Sequence, residues 1–443
     1  MKAGFVSLGC SKNLVDTEVM LGLIREKNIE LVHDPADADI LIVNTCAFIQ
    51  SAKEESINTI LDMAEYKKAE KGHCKVLIIA GCLGQRYGQE LLEELPEADG
   101  IIGTEAWDRI GEVIEETLRG NRVVVKGDKP ILYDASVPRI PTTPQYTAYV
   151  KIAEGCNNRC AFCAIPLIRG KYRSRSLEDV VQEVTALAGR GVREIVLIAQ
   201  DTTQYGRDLY GEPKLAELLK KLCKVQGIKW IRTLYSYPRF FSDELIEVIA
   251  NEEKLVKYVD IPLQHANDQV LKSMRRPDTK AQIVQLLQKI RQRIPGVVIR
   301  STFIVGFPGE TQEQYEELKD FIVEQRFDHV GIFTYSQEED TPAAAMVGQI
   351  DEAVMQDRYH ELKAIQSRIS QEINESIEGQ VLEVIVEGHT DEGMSFGRCY
   401  RQADEVDDLV YIENDTVSRL GDVVRVRILQ GFTEDLVGER VED

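Results

Sequence analysis

No stretch of this 443-residue chain is apolar for the length that a membrane span requires, so a bilayer-embedded protein is not expected. A secretory h-region is missing as well. Leu8-Gly9-Cys10 is patterned like a lipoprotein cleavage site, but only a few apolar residues precede it, where a signal peptide needs about 7–15. The expected compartment is therefore the cytoplasm. Positive charge is scarce: 53 Lys and Arg stand against 74 Asp and Glu, a formal charge of −21. Solubility alone accounts for much acidity of this kind, but the field also repels phosphate backbones, so strong binding to free nucleic acid is not expected and a basic partner is easier to accept. The nine cysteines, an odd number, do not suggest a disulfide framework and point to a reducing compartment with metal or redox use.

One further absence is the most informative. Cys156-Asn157-Asn158-Arg159-Cys160-Ala161-Phe162-Cys163 supplies three thiolates in CxxxCxxC spacing and no fourth; the next cysteine, Cys223, is far along the chain. Close-set soft thiolates suit an iron–sulfur cluster or zinc, and a closed structural zinc site wants four ligands. Three ligands leave one iron of a cluster open. The spacing, with an aromatic residue before the third cysteine, resembles the radical S-adenosylmethionine (SAM) superfamily, in which the open iron chelates the amino and carboxylate groups of SAM.

The pattern along the chain predicts three units. Over 1–125, apolar runs at 4–8, 40–43 and 76–80 alternate with helical stretches such as 14–24 and 57–64, as in an open parallel sheet. Each run leads into a cysteine: Cys10, Cys46 and Cys82 lie just past carboxyl ends of strands, where such sheets build their sites, and suggest a second cluster. A buried cysteine can also be a small hydrophobe, the reading given to Cys74, Cys223 and Cys399. Four prolines between 127 and 144 mark a linker, set at 126–144. Over 145–373, strand-like runs at 148–152, 194–199, 230–235, 258–262, 297–305 and 330–335 alternate with helices, which predicts a partial (β/α)6 TIM-type barrel with its chemistry at the carboxyl ends of the strands. A long helix near 352–377 leads into 374–443, where five short runs predict a small antiparallel β-barrel of oligonucleotide-binding type. That segment has eighteen Asp or Glu, six Arg and no Lys, the reverse of an RNA-binding footprint.

The expected strand ends carry polar candidates: Gln200-Asp201, Ser236-Tyr237, Gln264-His265 and Gly306-Phe307-Pro308-Gly309-Glu310. Each has a plain reading too. The glycines and the proline would shape a turn, and His265 would satisfy a buried acceptor. Arg169, Arg173 and Arg175 are candidates to pair with the SAM carboxylate, against the alternative of a solvated loop.

Taken together, Ser7-Leu8-Gly9-Cys10-Ser11-Lys12-Asn13, Asn44-Thr45-Cys46, Gly81-Cys82, residues 154–175, Pro262-Leu263-Gln264-His265 and residues 304–311 resemble the methylthiotransferase family over essentially the whole chain. The resemblance implies two [4Fe–4S] clusters, one on Cys10, Cys46 and Cys82 and one on Cys156, Cys160 and Cys163, with the terminal barrel as a TRAM domain. SAM-binding positions on this reading are Phe162, Arg175, Gln200, Asp201, Gln264, His265 and Gly306. Leu8-Gly9-Cys10-Ser11-Lys12-Asn13-Leu14-Val15-Asp16 and Ala164-Ile165-Pro166-Leu167-Ile168-Arg169-Gly170 resemble the branch that methylthiolates the β-carbon of an aspartate in small-subunit ribosomal protein S-twelve. Ser11 departs from the proline often found there. That branch implies two SAM molecules, a sulfur donor, an electron donor such as flavodoxin or ferredoxin, and a radical route, because the C–H bond has no easily removed proton. The alternatives are a tRNA methylthiotransferase acting on a modified adenosine next to the anticodon, and a non-enzymatic ribosome-assembly factor with structural metal.

Overall fold

The computed structural model describes residues 1–127, 132–404, 406–415 and 417–442, so positions 128–131 of the expected linker lie outside the described residues. Among the described residues no helix is long and apolar enough to cross a membrane.

Short aliphatic runs build the first sheet. β1 (Lys2–Ser7), β2 (Glu30–Val32), β3 (Ile40–Thr45), β4 (Val76–Gly81), β5 (Gly100–Gly103) and β6 (Val123–Val125) are all parallel, in the order β2-β1-β3-β4-β5-β6. β3 and β4 are buried along their whole length, as befits strands covered on both faces. Strand order reverses at β1 and β3, which makes their carboxyl ends the switch point of the sheet. Ser7 pairs with Asn44 and Thr45 with Gly81, so neighbouring strands release the chain side by side toward Cys10, Cys46 and Cys82. The helices run longer than the apolar period predicts: Ser11–Glu26 and Gln50–Ala64 begin before 14 and 57. Their first turns carry few apolar residues, so periodicity misses them although the residue types tolerate a helix.

The second unit is an open arc of parallel strands. β7 (Thr147–Lys151) enters the cysteine loop through β8 (Ala153–Glu154), which pairs antiparallel with β9 (Arg173–Ser174) on the way out. β10 (Glu194–Ile198) and β11 (Trp230–Thr233) join β7 in one three-stranded sheet, while β12 (Tyr258–Asp260), β13 (Val298–Val305) and β14 (His329–Thr334) form another. Between β11 and β12 the arc continues through an isolated bridge, Ile231 to Leu255, and a Ser236 N–H bond to the Asp260 carbonyl at 3.0 Å. β7 and β14 are free edges, so the expected six-stranded partial barrel is open along one side. The helix Glu352–Glu375 packs on β14 and leads out.

β15 (Val381–His389), β16 (Ser395–Arg398), β17 (Val410–Glu413), β18 (Val423–Gly431) and β19 (Leu436–Arg440) close into the expected small barrel, with one parallel pair, β17 and β19. It is fused to the amino ends of the arc strands. The Arg398 guanidinium, 1 % exposed, donates to Glu194 Oε2 at 2.8 Å and Glu387 Oε1 at 2.6 Å, while Arg232 Nε takes Glu194 Oε1 at 3.1 Å. Tyr258 Oη donates to Asp407 Oδ2, and Arg401 to Asp328 at 2.7 Å.

The first unit caps the opposite, carboxyl end. The helix Ser11–Glu26 packs on β7, and beyond β14 the Glu338 carboxylate, almost fully buried, receives Arg86 at 2.6 Å and Lys53 at 3.1 Å. Tyr87 Oη donates to Glu339 at 2.6 Å. Both edges of the arc are thereby bridged at its mouth. Residues 132–142 are a packed strap more than a loose tether: Arg139 donates to Glu18, Glu183 and the Tyr149 carbonyl, each within 2.7 Å.

Candidate active site

Two groups of three thiols face the seam between the sheet and the arc. In the first, Cys10 ends the β1 loop and begins a helix, Cys46 follows β3, and Cys82 opens the helix Cys82–Tyr87. Two asparagines stitch these loops: Asn13 Nδ2 donates to the Leu8 and Thr45 carbonyls at 3.1 and 2.8 Å, and Asn44 Nδ2 to the Asn13 carbonyl at 2.8 Å. Gly81 permits this, because at φ +90° its missing Cβ would lie 2.2 Å from Asn44 Oδ1. Burial pushes the Cys46 thiol up to about 12, with Cys82 and Cys10 adding to it. Burial also raises Cys82. Cys10 is lowered, since Lys12 and Arg169 outweigh its burial.

The second group occupies the loop from β8 to the helix Ile165–Arg169. Burial pushes Cys156 up to about 12, and Cys163 rises by burial together with Cys160 and Cys156. The Arg276 guanidinium reaches Cys160 Sγ at 4.0 Å, donates to the Pro262 carbonyl at 2.6 Å and lies over the Tyr237 ring. Among the described residues no three His, Cys, Asp or Glu side chains are gathered as ligands of a single metal ion. Within each trio, however, the thiols are close enough to oppose one another's ionisation. A soft, three-thiol set more open than a mononuclear site suits a cluster that takes one thiolate per iron. Loading would release the protons that burial retains.

A buried charge network braces the first trio against the chain segments that flank the second. Arg169, 2 % exposed, donates to Asp16 Oδ2 at 2.6 Å and Glu154 Oε2 at 3.0 Å, bonds Asn13 Oδ1, and reaches Cys82 Sγ at 3.6 Å. Lys151 shares Asp16 and Glu154. Glu154 is held well below the usual carboxylate range: burial opposes its charge, but Arg169 and Lys151 win.

The residues singled out from sequence divide. Gln200 donates to Glu154 Oε1 at 2.8 Å, and among the described residues its own buried Oε1 has no partner. Gln264 holds φ +76° four residues past β12, bridged to Phe303 of β13, and Gly306 holds φ +75° where a Cβ would strike Met355 at 2.2 Å. Phe162 packs beside Phe307 and Tyr335. The other three are engaged elsewhere. Arg175 is bound by Asp179, Glu183 and the Lys151 carbonyl and lies over Tyr133, in the strap seam and not among the thiols. Asp201 accepts from Asn158, Gln204 and Thr203, so it braces the cysteine loop. His265, fully buried, accepts the Asn267 N–H at Nδ1 and meets Glu310 at 3.2 Å through Nε2, which is the plain reading of that histidine. Asp16, Glu154, Lys151 and Arg276 were not singled out. Asp16 and Glu154 fall within the matching strings, but nothing in the sequence says they share a guanidinium.

Family models match three segments: the Radical SAM superfamily over 150–322, Uncharacterized protein family UPF0004 over 2–103, and the TRAM domain over 379–441. The protein named ribosomal protein uS12 methylthiotransferase RimO from Desulforamulus reducens is 53% identical over 439 residues, 98% of each chain. The chain belongs to the uS12 methylthiotransferase RimO family. Other RimO relatives come from Heliobacterium modesticaldum, 49% identical over all of this chain and 96% of that one, and Clostridioides difficile, 45% identical over 99% and 98%. Among solved structures, the radical SAM methyltransferase TsrM from Kitasatospora setae superposes with a TM-score of 0.57 at 14% identity, covering 87% of this chain and 79% of that one, a likeness of fold.

Proposed function

We propose that this chain attaches a methylthio group to the β-carbon of an aspartate in ribosomal protein uS12, working in the cytoplasm with two [4Fe–4S] clusters and SAM. The observation that carries the reading is the pair of three-thiol groups at the carboxyl ends of two sheets, facing one seam, with Arg169 from the helix that follows the second group reaching Cys82 of the first. RimO relatives aligned over nearly the whole chain support the substrate, and so does the acidic balance, which suits a basic ribosomal protein. When bound, the clusters and SAM supply the radical and sulfur-transfer chemistry.

The protein's own part is to hold and to exclude. Cys10, Cys46 and Cys82 take one cluster, and Cys156, Cys160 and Cys163 the other. Gln200, Gln264, Gly306 and Phe162 line the SAM side of the mouth; the buried, unpartnered Gln200 Oε1 and Tyr335 Oη are polar atoms that a bound molecule would satisfy. The Glu338 seam keeps bulk water from the gap, as a radical intermediate requires. Residues 1–125 are the amino-terminal methylthiotransferase unit, 145–373 the radical SAM core and 374–443 the TRAM domain. An electron donor and a sulfur donor complete the system.

The test offers anaerobically reconstituted protein, SAM, sulfide and a one-electron reductant such as dithionite to uS12 and to precursor tRNA in parallel, with mass spectrometry of both. A methylthio group on a uS12 aspartate is expected; one on adenosine instead overturns the substrate.

A further inference from the structure

Deeply buried cations of the seam nearly all have a carboxylate. Lys151 and Arg169 share Asp16 and Glu154; Arg139 has Glu18 and Glu183; Arg86 and Lys53 have Glu338. Two differ. Arg276 is anchored on the Pro262 carbonyl and belongs to the second trio. Lys12 is 7 % exposed, and among the described residues no carboxylate is in ion-pair contact with it. Its ammonium stands 3.3 Å from the centroid of the Tyr235 ring.

The position of Lys12 matters as much as its lack of a carboxylate. It is two residues from Cys10, in the first turn of the helix Ser11–Glu26. Tyr235 belongs to the arc, just past β11, and Tyr237 two residues on lies beneath Arg276, which touches Cys160. Lys12 thus reaches across the seam from the first trio toward the second. A desolvated ammonium with no carboxylate beside it is costly. An arriving anion offsets that cost, and the substrate of the proposed reaction carries one on the carbon next to the reacting carbon. Lys12 is not alone in serving the first trio as a cation, because Arg169 donates to Cys82.

We propose that Lys12 binds the side-chain carboxylate of the target aspartate and so sets its β-carbon between the two trios. This rests on the uS12 reading. Lys12 is then a specificity-determining residue that separates aspartate from asparagine.

The test measures binding of uS12, and of uS12 with asparagine in place of the target aspartate, to anaerobically reconstituted wild-type, Lys12→Gln and Lys12→Arg proteins. Cluster loading is checked by visible absorption and iron content. Wild type is expected to prefer the aspartate form by about 30-fold or more, the scale for truncating a buried charge pair; Lys12→Gln should bind both forms alike, and Lys12→Arg should keep part of the preference. Lys12→Met, similar in length and apolar, repeats the comparison should the glutamine variant not load. Undiminished preference in the loaded neutral variants overturns the proposal. So does a neutral variant in which only sulfide uptake or the cluster spectrum changes, which would make Lys12 a partner of the first trio's sulfur. A wild type that binds neither form of uS12 overturns the functional reading together with this inference.

Discussion

Arg169 Nη2 lies 3.6 Å from Cys82 Sγ, so a residue of the second cysteine loop donates to a thiol of the first. The same guanidinium holds Asp16 and Glu154, and the fork geometry is one a lysine cannot reproduce. Arg169→Gln would leave two buried carboxylates with Lys151 alone. It is expected to lower stability by about 3–5 kcal/mol, the range for a broken buried pair. Losing a donor to sulfur should also lower the potential of the first cluster. Denaturant unfolding of the protein before reconstitution reads the first effect and a redox titration followed by electron paramagnetic resonance the second; an unchanged potential would remove Arg169 from any role in tuning the cluster.

The two trios should be separable. Cys160→Ala is expected to abolish both SAM cleavage and product. Cys46→Ala should leave SAM cleavage partly intact while stopping methylthiolation. Counting 5′-deoxyadenosine and modified uS12 in one reaction distinguishes them, and full product from Cys46→Ala would dismiss a cluster on the first trio.

Glu338 tests the cap over the mouth. With Arg86 and Lys53 converging on one almost inaccessible carboxylate, Glu338→Gln leaves Arg86 with only backbone carbonyls and Lys53 with only the more distant Glu339. A loss of about 3 kcal/mol or more is expected in urea unfolding. Uncoupled SAM cleavage without substrate should rise as water enters; equal uncoupling in variant and parent would show that the cap does not shield the gap.

Asp408 offers a test in pH. Burial, with Glu434 beside it, raises its carboxyl to about 6, above the ordinary value of about 3.9. Between about pH 4 and 6 the folded protein keeps a proton that the unfolded chain gives up, so stability falls as pH rises through that window. Asp408→Asn is expected to stabilise by about 1 kcal/mol at pH 8, discounted because the group is only half buried, and the gain should shrink toward pH 4. Unfolding of the unloaded protein at pH 8 and pH 5 checks this; an equal gain at both would refute it.

Much of the site was legible in the chain. Cys10, Cys46 and Cys82 are readable because aliphatic strands announce their own carboxyl ends, and Cys156, Cys160 and Cys163 because a cluster needs closely spaced thiolates. Asp201 and His265 stood out as strand-end polar residues and Arg175 as a loop cation suited to a carboxylate; the partners the structure gives them, Asn158, Glu310 and Glu183, lie on elements whose approach no local pattern encodes.

The sequence by itself determined the three units, most of their strands and the two sets of thiols, since these follow from periodicity and spacing along the chain, whereas the order β2-β1-β3-β4-β5-β6 was not legible in it. Only the tertiary structure decided how the units meet. Arg169 finds Asp16 across 153 residues, Arg398 finds Glu194 across 204, and the acidic barrel settles on the amino ends of the arc, opposite the thiols. The physical reason is that a buried charge must be paired, and which partner pairs it depends on which surfaces packing has brought together.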